Sequence, residues 1–353
     1  MKQLGGLLVK ISLVLGLIAV TSCMPAPMTP TTSFPTPPVQ PAPVPEKEPT
    51  ATPTTPVWQS YHMVETLRIG NIDNLWMPVP REWDGIGMAN VKVIDISPPP
   101  DDVYEDDIGN KIAFWDTKHR DWAEYTITFE LDVSPIQYDI DPLKIGQYDT
   151  KSLDYRKYTK PSQWIQSDNE AIIKLAQEIA DNETNLLAKV RRLHHWVSVN
   201  VRAEGEEAPD AVTTLEKRSG YCGGHSFLFV ALCRALGIPA RPVAGLHTVY
   251  QGQFVSGSAY KGTMYLHIWS EFYVPGFGWV QCDTSGGEQN YMGINEPRIV
   301  LSRGEDINLV HDFPGGTVIF FHSPQTNSNV NAGIPYTQTW GEDLSLVVRK
   351  NTQ

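Results

Sequence analysis

The chain predicts an α+β fold, in which a β-rich, sandwich-like region precedes a central buried helix packed on an antiparallel sheet. Three observations carry this. Within residues 57–160, runs such as YHMVETLRI, MANVKVIDI and AEYTITFELDV are strand-like; the last alternates apolar and polar positions and is rich in β-branched residues. Residues 217–246, KRSGYCGGHSFLFVALCRALGIPARPVAGL, contain a helix that is apolar almost all the way round. Such a helix belongs at the centre of a domain. Finally, YLHIWSEFYV and WVQCDTS, joined by PGFG, read as an antiparallel hairpin.

Composition sets the outer limits. A formal charge of −12 over 353 residues, with no stripe of Lys and Arg, excludes nucleic acid as the main partner. Cys23, Cys222, Cys233 and Cys282 are too few and too scattered for a disulfide framework. No CxxC or Cys/His cluster suggests zinc and no clustered acidic loop suggests calcium, so neither a metal nor a cofactor is expected.

In chain order, residues 1–22 have the make-up of an export signal: Lys2 and Lys10, the apolar run ISLVLGLIAV, then the small residues Thr21 and Ser22. The run is short for a membrane span. The ending VTSC resembles a bacterial lipoprotein signal, which implies lipidation of Cys23 and a mature protein anchored on the extracytoplasmic face of the cell membrane. Residues 23–56 are rich in Pro and Thr, cannot bury a core, and favour extended polyproline conformations, so they read as a stalk.

Residues 57–160 form the β-rich region, with turn formers in PPPDDVYEDDIGNK and WDTKHRD; Asp106 and Asp107 fall in such turns and read as solvated. Residues 161–353 form the second domain, with a β extension at its C-terminal end. Its first helix is expected to start from a capping box, Ser167 with Glu170, and to bury Ile172, Ile173, Ala176 and Ile179. A second helix from near Thr184 repeats Leu187, Val190, His194 and Val197 on one face. Adjacent His194 and His195 cannot share a face and have no carboxylate at ligand spacing, so they read as packing or surface residues.

The buried helix begins at Cys222 and ends at Gly237, which suits a left-handed cap, with Pro239 preventing continuation. A thiol in the first turn meets the positive end of the helix dipole, which favours thiolate. Such a nucleophile needs a base and a group to orient that base. His267 and Asp283 lie sixteen residues apart about Pro275, so a hairpin folded there brings them near each other, with a bulge or a three-residue turn through Gly276 setting whether they share a face. His225, one turn after Cys222, is the rival base, and His247, at a strand end, is a candidate for substrate contact. Cys233, three turns along the helix, reads as core; Cys282, next to Asp283, should face the other way.

GYCGGHSFLFVALCRALGIPAR followed by HIWSEFYVPGFGWVQCDTS resembles the core of the transglutaminase-like superfamily of papain-related cysteine enzymes. RIVLSRGEDINL, from Arg298, resembles a segment that often follows that core in bacterial members. The resemblance implies a papain-like core with a Cys222–His267–Asp283 triad of nucleophile, base and orienter. Gly223 and Gly224 stand where many bacterial members carry an acidic residue soon after the cysteine, and Cys282 stands where proline or a hydrophobic residue is commoner. It further implies acyl transfer on peptide or protein amide bonds, including those of the cell envelope, through a thioester. Water would resolve the thioester in a peptidase or amidase, an amine in a cross-linker. The Cys222 backbone N–H would hold the oxyanion, with Trp196 and Asn200 as candidates for a second donor. A non-catalytic surface-binding module is the reading from another class.

Overall fold

Strand alternation builds the first layer of the molecule. The computed structural model describes residues 58–248, 264–313, 316–319, 323–326 and 337–340, apart from 71, 84, 86, 119–122 and 205–207. The export signal, the stalk and Cys23 lie outside the described residues. Seven strands come first: β1 (Gln59–Ile69), β2 (Asn74–Val79), β3 (Met88–Ser97), β4 (Asp102–Glu105), β5 (Lys111–Asp116), β6 (Ala123–Val133) and β7 (Ile136–Gln137). Along β6, Tyr125, Ile127, Phe129, Leu131 and Val133 are buried while the residues between them are not, as a half-buried strand requires. Antiparallel pairing sets Phe129 opposite Met63 and Tyr125 opposite Leu67 of β1.

The inner faces of two antiparallel sheets share one apolar cluster. Met63, Leu67, Ile127 and Phe129 come from β1 and β6, and Leu75, Met77, Ala113 and Trp115 from β2 and β5. This is the sandwich that the alternating runs predict. Each sheet is edged by a strand from near the C-terminus. The orders are β16-β1-β6-β3 and β15-β2-β5-β4, where β15 is Gln325–Thr326 and β16 is Thr337–Trp340.

Five α-helices follow among the described residues: α1 (Leu153–Thr159), α2 (Glu170–Ala180), α3 (Leu186–Asn200), α4 (Ala211–Lys217) and α5 (Cys222–Ala235). The capping residue of α2 is Asn169, whose side chain accepts from the Ala171 N–H, and not Ser167. Ser167 lies two residues upstream, buried, with its backbone N–H bonded to the Ile165 carbonyl, so the chain enters the helix later than the capping-box spacing suggests. The stripe is also rotated: Ile172, Leu175, Ala176 and Ala180 are buried, and Ile173 and Ile179 are not. In α3 the expected Leu187, Val190, His194 and Val197 are all buried.

α5 is the axis of this half. Every residue from Gly223 to Arg234 is buried, and Gly237, at φ +72°, ends the helix in the left-handed conformation that glycine tolerates. A four-stranded antiparallel sheet of order β10-β9-β8-β12 packs against it, built from β8 (Ala240–Thr248), β9 (Met264–Val274), β10 (Gly278–Cys282) and β12 (Arg298–Arg303). Between them, β11 (Gly293–Ile294) pairs with β7, tying the two halves together. Phe272, Val274, Val280 and Cys282 face the α5 cluster, whereas Trp269 faces the sandwich cluster.

Charged residues of LCRALGIPAR are buried as structural ion pairs. Arg241 meets Glu271 at 2.9 Å, and Glu271 also meets Arg303 at 2.8 Å. Arg234 donates to the Ala240 carbonyl and meets Glu305 at 2.5 Å. Together these lock the end of α5 to β8, β9 and the segment after β12, which fixes where the start of α5 lies against the hairpin.

Candidate active site

The β9–β10 hairpin sets the first geometric fact. Val274 pairs with Gly278 and Ser270 with Cys282, around a three-residue turn in which the Phe277 N–H donates to the Val274 carbonyl. Gly276, at φ +88°, is the midpoint, one residue later than Pro275. Continued by one residue, this register puts Asp283 opposite Trp269, diagonal to His267 and on the same face. The neighbouring Cys282 points the other way into the α5 cluster, where burial pushes its thiol well above the ordinary range.

His267 and Asp283 meet directly. The ring Nε2 lies 2.9 Å from the Asp283 Oδ2. An ionised carboxylate only accepts hydrogen bonds, so Nε2 carries the proton and, in the neutral ring, Nδ1 holds the lone pair. The same Oδ2 lies 2.7 Å from a terminal guanidinium nitrogen of Arg298, at the start of β12. Oδ1 accepts from the Ser285 N–H at 2.9 Å, the Ser285 hydroxyl at 2.7 Å and the Gly286 N–H at 3.2 Å. Gly286 has no room for a side chain: a Cβ there would sit 2.2 Å from the Asn290 Nδ2.

Electrostatics follows from these contacts. Burial by itself would raise the Asp283 pKa, but the charges of Arg298 and His267 and the hydrogen bonds from His267 and Ser285 outweigh it, holding the carboxyl well below its usual value. His267 is pulled the other way. Burial and the Arg298 charge lower its pKa more than Asp283 raises it, so the ring is neutral and available as a base at neutral pH.

Cys222 is the first residue of α5, half-buried, and carries a thiol, as do Cys233 and Cys282. Tyr221, which precedes it, provides no side-chain cap to the first turn. His225, one turn further, connects this helix start to the hairpin: it is buried, and the charges of Asp283 and His267 and the Thr284 backbone all act on it. No carboxylate hydrogen-bonds its ring among the described residues. The bond to Asp283 belongs to His267, so His225 lacks the orienting carboxylate a base requires.

The remaining candidates are placed as follows. His194 is buried against the edges of Phe229 and Tyr291, and burial lowers its pKa to about 4 despite the Asp283 charge. His195 pairs with Glu288 at 2.6 Å on a more exposed surface. Asn200 donates its amide to the Trp196 carbonyl, and the Arg218 guanidinium covers the Trp196 ring at 4.3 Å. Cys233 is core, with burial pushing its thiol far up. His247 lies beside His267, ring centroids 5.4 Å apart, and bonds through Nε2 to Glu296. An open pocket of about 390 Å³ adjoins both histidines. Arg298 and Glu296 stand among these candidates, and sequence reasoning did not single them out for the site. Their only signal was that Arg298 opens the segment resembling a common bacterial extension of the core.

A model described as the transglutaminase-like superfamily matches residues 173–284, the stretch from α2 to the residue after Asp283. An uncharacterized protein of Haemophilus influenzae is 26% identical over 327 residues, covering 81% of this chain and 86% of that protein. The uncharacterized protein YebA of Bacillus subtilis is 27% identical over 187 residues, covering 48% of this chain, which spans 24% of YebA. Among solved structures, a candidate cysteine protease from Cytophaga hutchinsonii superposes with a TM-score of 0.54 at 18% identity, over 82% of this chain and 91% of that one. At that identity the likeness is one of fold.

Proposed function

We propose that this chain, which carries a transglutaminase-like domain, is a cysteine enzyme that cleaves peptide or protein amide bonds through Cys222, His267 and Asp283. The observation that carries the reading is the His267–Asp283 pair, 2.9 Å apart, with Arg298 holding the carboxylate charged. In the mechanism, His267 Nδ1 takes the Cys222 proton and the thiolate attacks the amide carbonyl. The positive end of α5 faces the negative charge that develops on the carbonyl oxygen. As the C–N bond breaks, the His267 imidazolium gives its proton to the departing amine and a thioester remains on Cys222. The open polar pocket against His267 admits water, which favours hydrolysis of that thioester over capture by an amine.

Labelling tests this. Iodoacetamide should alkylate Cys222 ahead of the buried Cys233 and Cys282, with a rate that rises with pH along a profile belonging to the Cys222–His267 pair. Hydrolysis of peptide substrates should vanish in Cys222→Ala. An unreactive Cys222, or a Cys222→Ala protein with full activity, sinks the reading and leaves a non-catalytic surface module. Product masses in the presence of a primary amine separate hydrolysis from cross-linking, since transfer leaves an amide and releases no free acid.

We also place the protein on the extracytoplasmic face of the cell membrane through a lipid on Cys23, on the strength of ISLVLGLIAVTSC and the Pro/Thr-rich stretch behind it. Cys23→Ser should move the protein from the membrane fraction to the soluble fraction. Continued membrane association of that variant would overturn the anchor.

A further inference from the structure

The pocket against His267 has a composition of its own. His247, His267, Asp283, Ser285, Gly286, Gln289, Asn290, Asn295, Glu296 and Arg298 form its walls, and apart from Gly286 every one of them carries a polar or charged side chain. The charged members sort into one closed pair and one open group. Asp283 and Arg298 neutralise each other at 2.7 Å, with both side chains buried. His247 is neutral near pH 7, since burial and the Arg298 charge lower its pKa to about 3. That leaves the Glu296 carboxylate, 45% exposed, anchored to His247 on one side and open to the pocket. Amides surround it. Asn295 accepts from Gln137 and Asn290 accepts from the Asn295 N–H, so these walls are held in place by their own bonds.

Position gives the pocket a role. His267 is the group that returns a proton to the departing amine, so a cavity against its ring receives what is attached to that amine. Glu296 stands one imidazole beyond it, because His247 bonds to Glu296 and faces His267 at 5.4 Å. We propose that this pocket is an amine-side subsite selective for a positively charged group, recognised by the Glu296 carboxylate a few bonds beyond the reacting nitrogen. The substrate class is then an amide whose amine portion carries a second, cationic nitrogen. The assignment of the amine side rests on the proposed function; the charge preference rests on the pocket alone. Because Glu296 keeps nearly half its exposure, the attraction is one that salt weakens.

Equilibrium binding to the wild-type chain tests the pocket without chemistry. Two probes of equal length, 5-amino-1-pentanol and 1,5-pentanediol, differ at one end by a charge. NMR titration at low salt should show the amino alcohol binding about fivefold tighter or more, a difference that shrinks in 0.5 M salt. The shifts should centre on Asn295 and Glu296. Glu296→Gln should erase the preference and Glu296→Asp should keep part of it, with unchanged circular dichroism in both. Equal affinity for the two probes in the wild type, or a preference that survives in Glu296→Gln, overturns the proposal. An inert Cys222 in the labelling experiment with the preference for the ammonium intact would remove the hydrolase reading and leave the cation site standing.

Discussion

In the proposed mechanism, Arg298 is the residue that lets the pair His267–Asp283 act as a base and its orienter. It neutralises a buried carboxylate, and its charge keeps the neighbouring imidazole unprotonated. Arg298→Met should therefore lower kcat/KM about tenfold or more, which is at least ~1.4 kcal/mol of transition-state stabilisation. The informative readout is the pH profile of Cys222 alkylation. Removing the cation lets the His267 pKa rise, so the acidic limb should move to higher pH, and Arg298→Lys should restore much of the original position. A profile unmoved in Arg298→Met would reduce the arginine to packing over Trp269, whose ring it covers at 5.2 Å. His194 supplies a second residue-scale prediction. Its pKa falls from an ordinary value near 6.5 to about 4 in the folded protein, so the unfolded chain binds its proton first as pH drops. The stabilisation from keeping that ring neutral is complete above pH 6.5 and is lost on the way down to pH 4, on the order of 3 kcal/mol. Thermal melts of His194→Phe should show a flatter dependence on pH across that window than the wild type.

At the scale of elements, the close approach of β8 and β12 decides where Arg298 lands. A Cβ on Gly245 would sit 1.9 Å from the Ile299 backbone oxygen, beside the irregularity between Val300 and Ser302 of β12. Gly245→Ala must push the two strands apart, and overpacking of this kind typically costs about 2 kcal/mol. Because Gly245 pairs with His267 across β8 and β9 and neighbours Ile299, the displacement reaches His267 and Arg298 together. A lowered melting temperature with slowed Cys222 alkylation is the expected result; loss of stability with an unchanged alkylation profile would confine the glycine to packing. This element scale is also where the sequence was read best and worst. The placing of Cys222 at a helix start, and of His267 and Asp283 towards the two ends of one hairpin, was legible because each sits in a run whose local period sets its position. The register itself was not, since a three-residue turn moves the midpoint from Pro275 to Gly276 without any change of composition. The start of α2 misled because Ser167 and Asn169 are both good caps, and only burial of Ser167 decides between them. Arg298 had no local signature. Its role depends on β12 lying beside β8, a pairing that no short-range pattern states.

At the scale of the whole chain, the same point governs the sandwich. The alternating runs of residues 57–160 predict its strands, yet each of its two sheets is completed by a strand from beyond residue 320: β15 beside β2, and β16 beside β1. β1 is eleven residues long and pairs with β6 along its whole length, so its other side is an edge unless something covers it. β16 covers part of that side, setting Trp340 opposite Glu65 and Thr337 opposite Arg68. An exposed strand edge of this length is a template for another chain. Removing residues 327–353 takes β16 away and leaves the remaining strands of the sheet in place, while Cys222, His267, Asp283 and Arg298 all stay on the chain. The truncated protein should associate with rising concentration, visible by light scattering, and should retain alkylation of Cys222 when dilute. If it stays monomeric at concentrations where the full chain does, the last strand is not what protects the edge, and the charged side chains along β1, Arg68 among them, must be doing so.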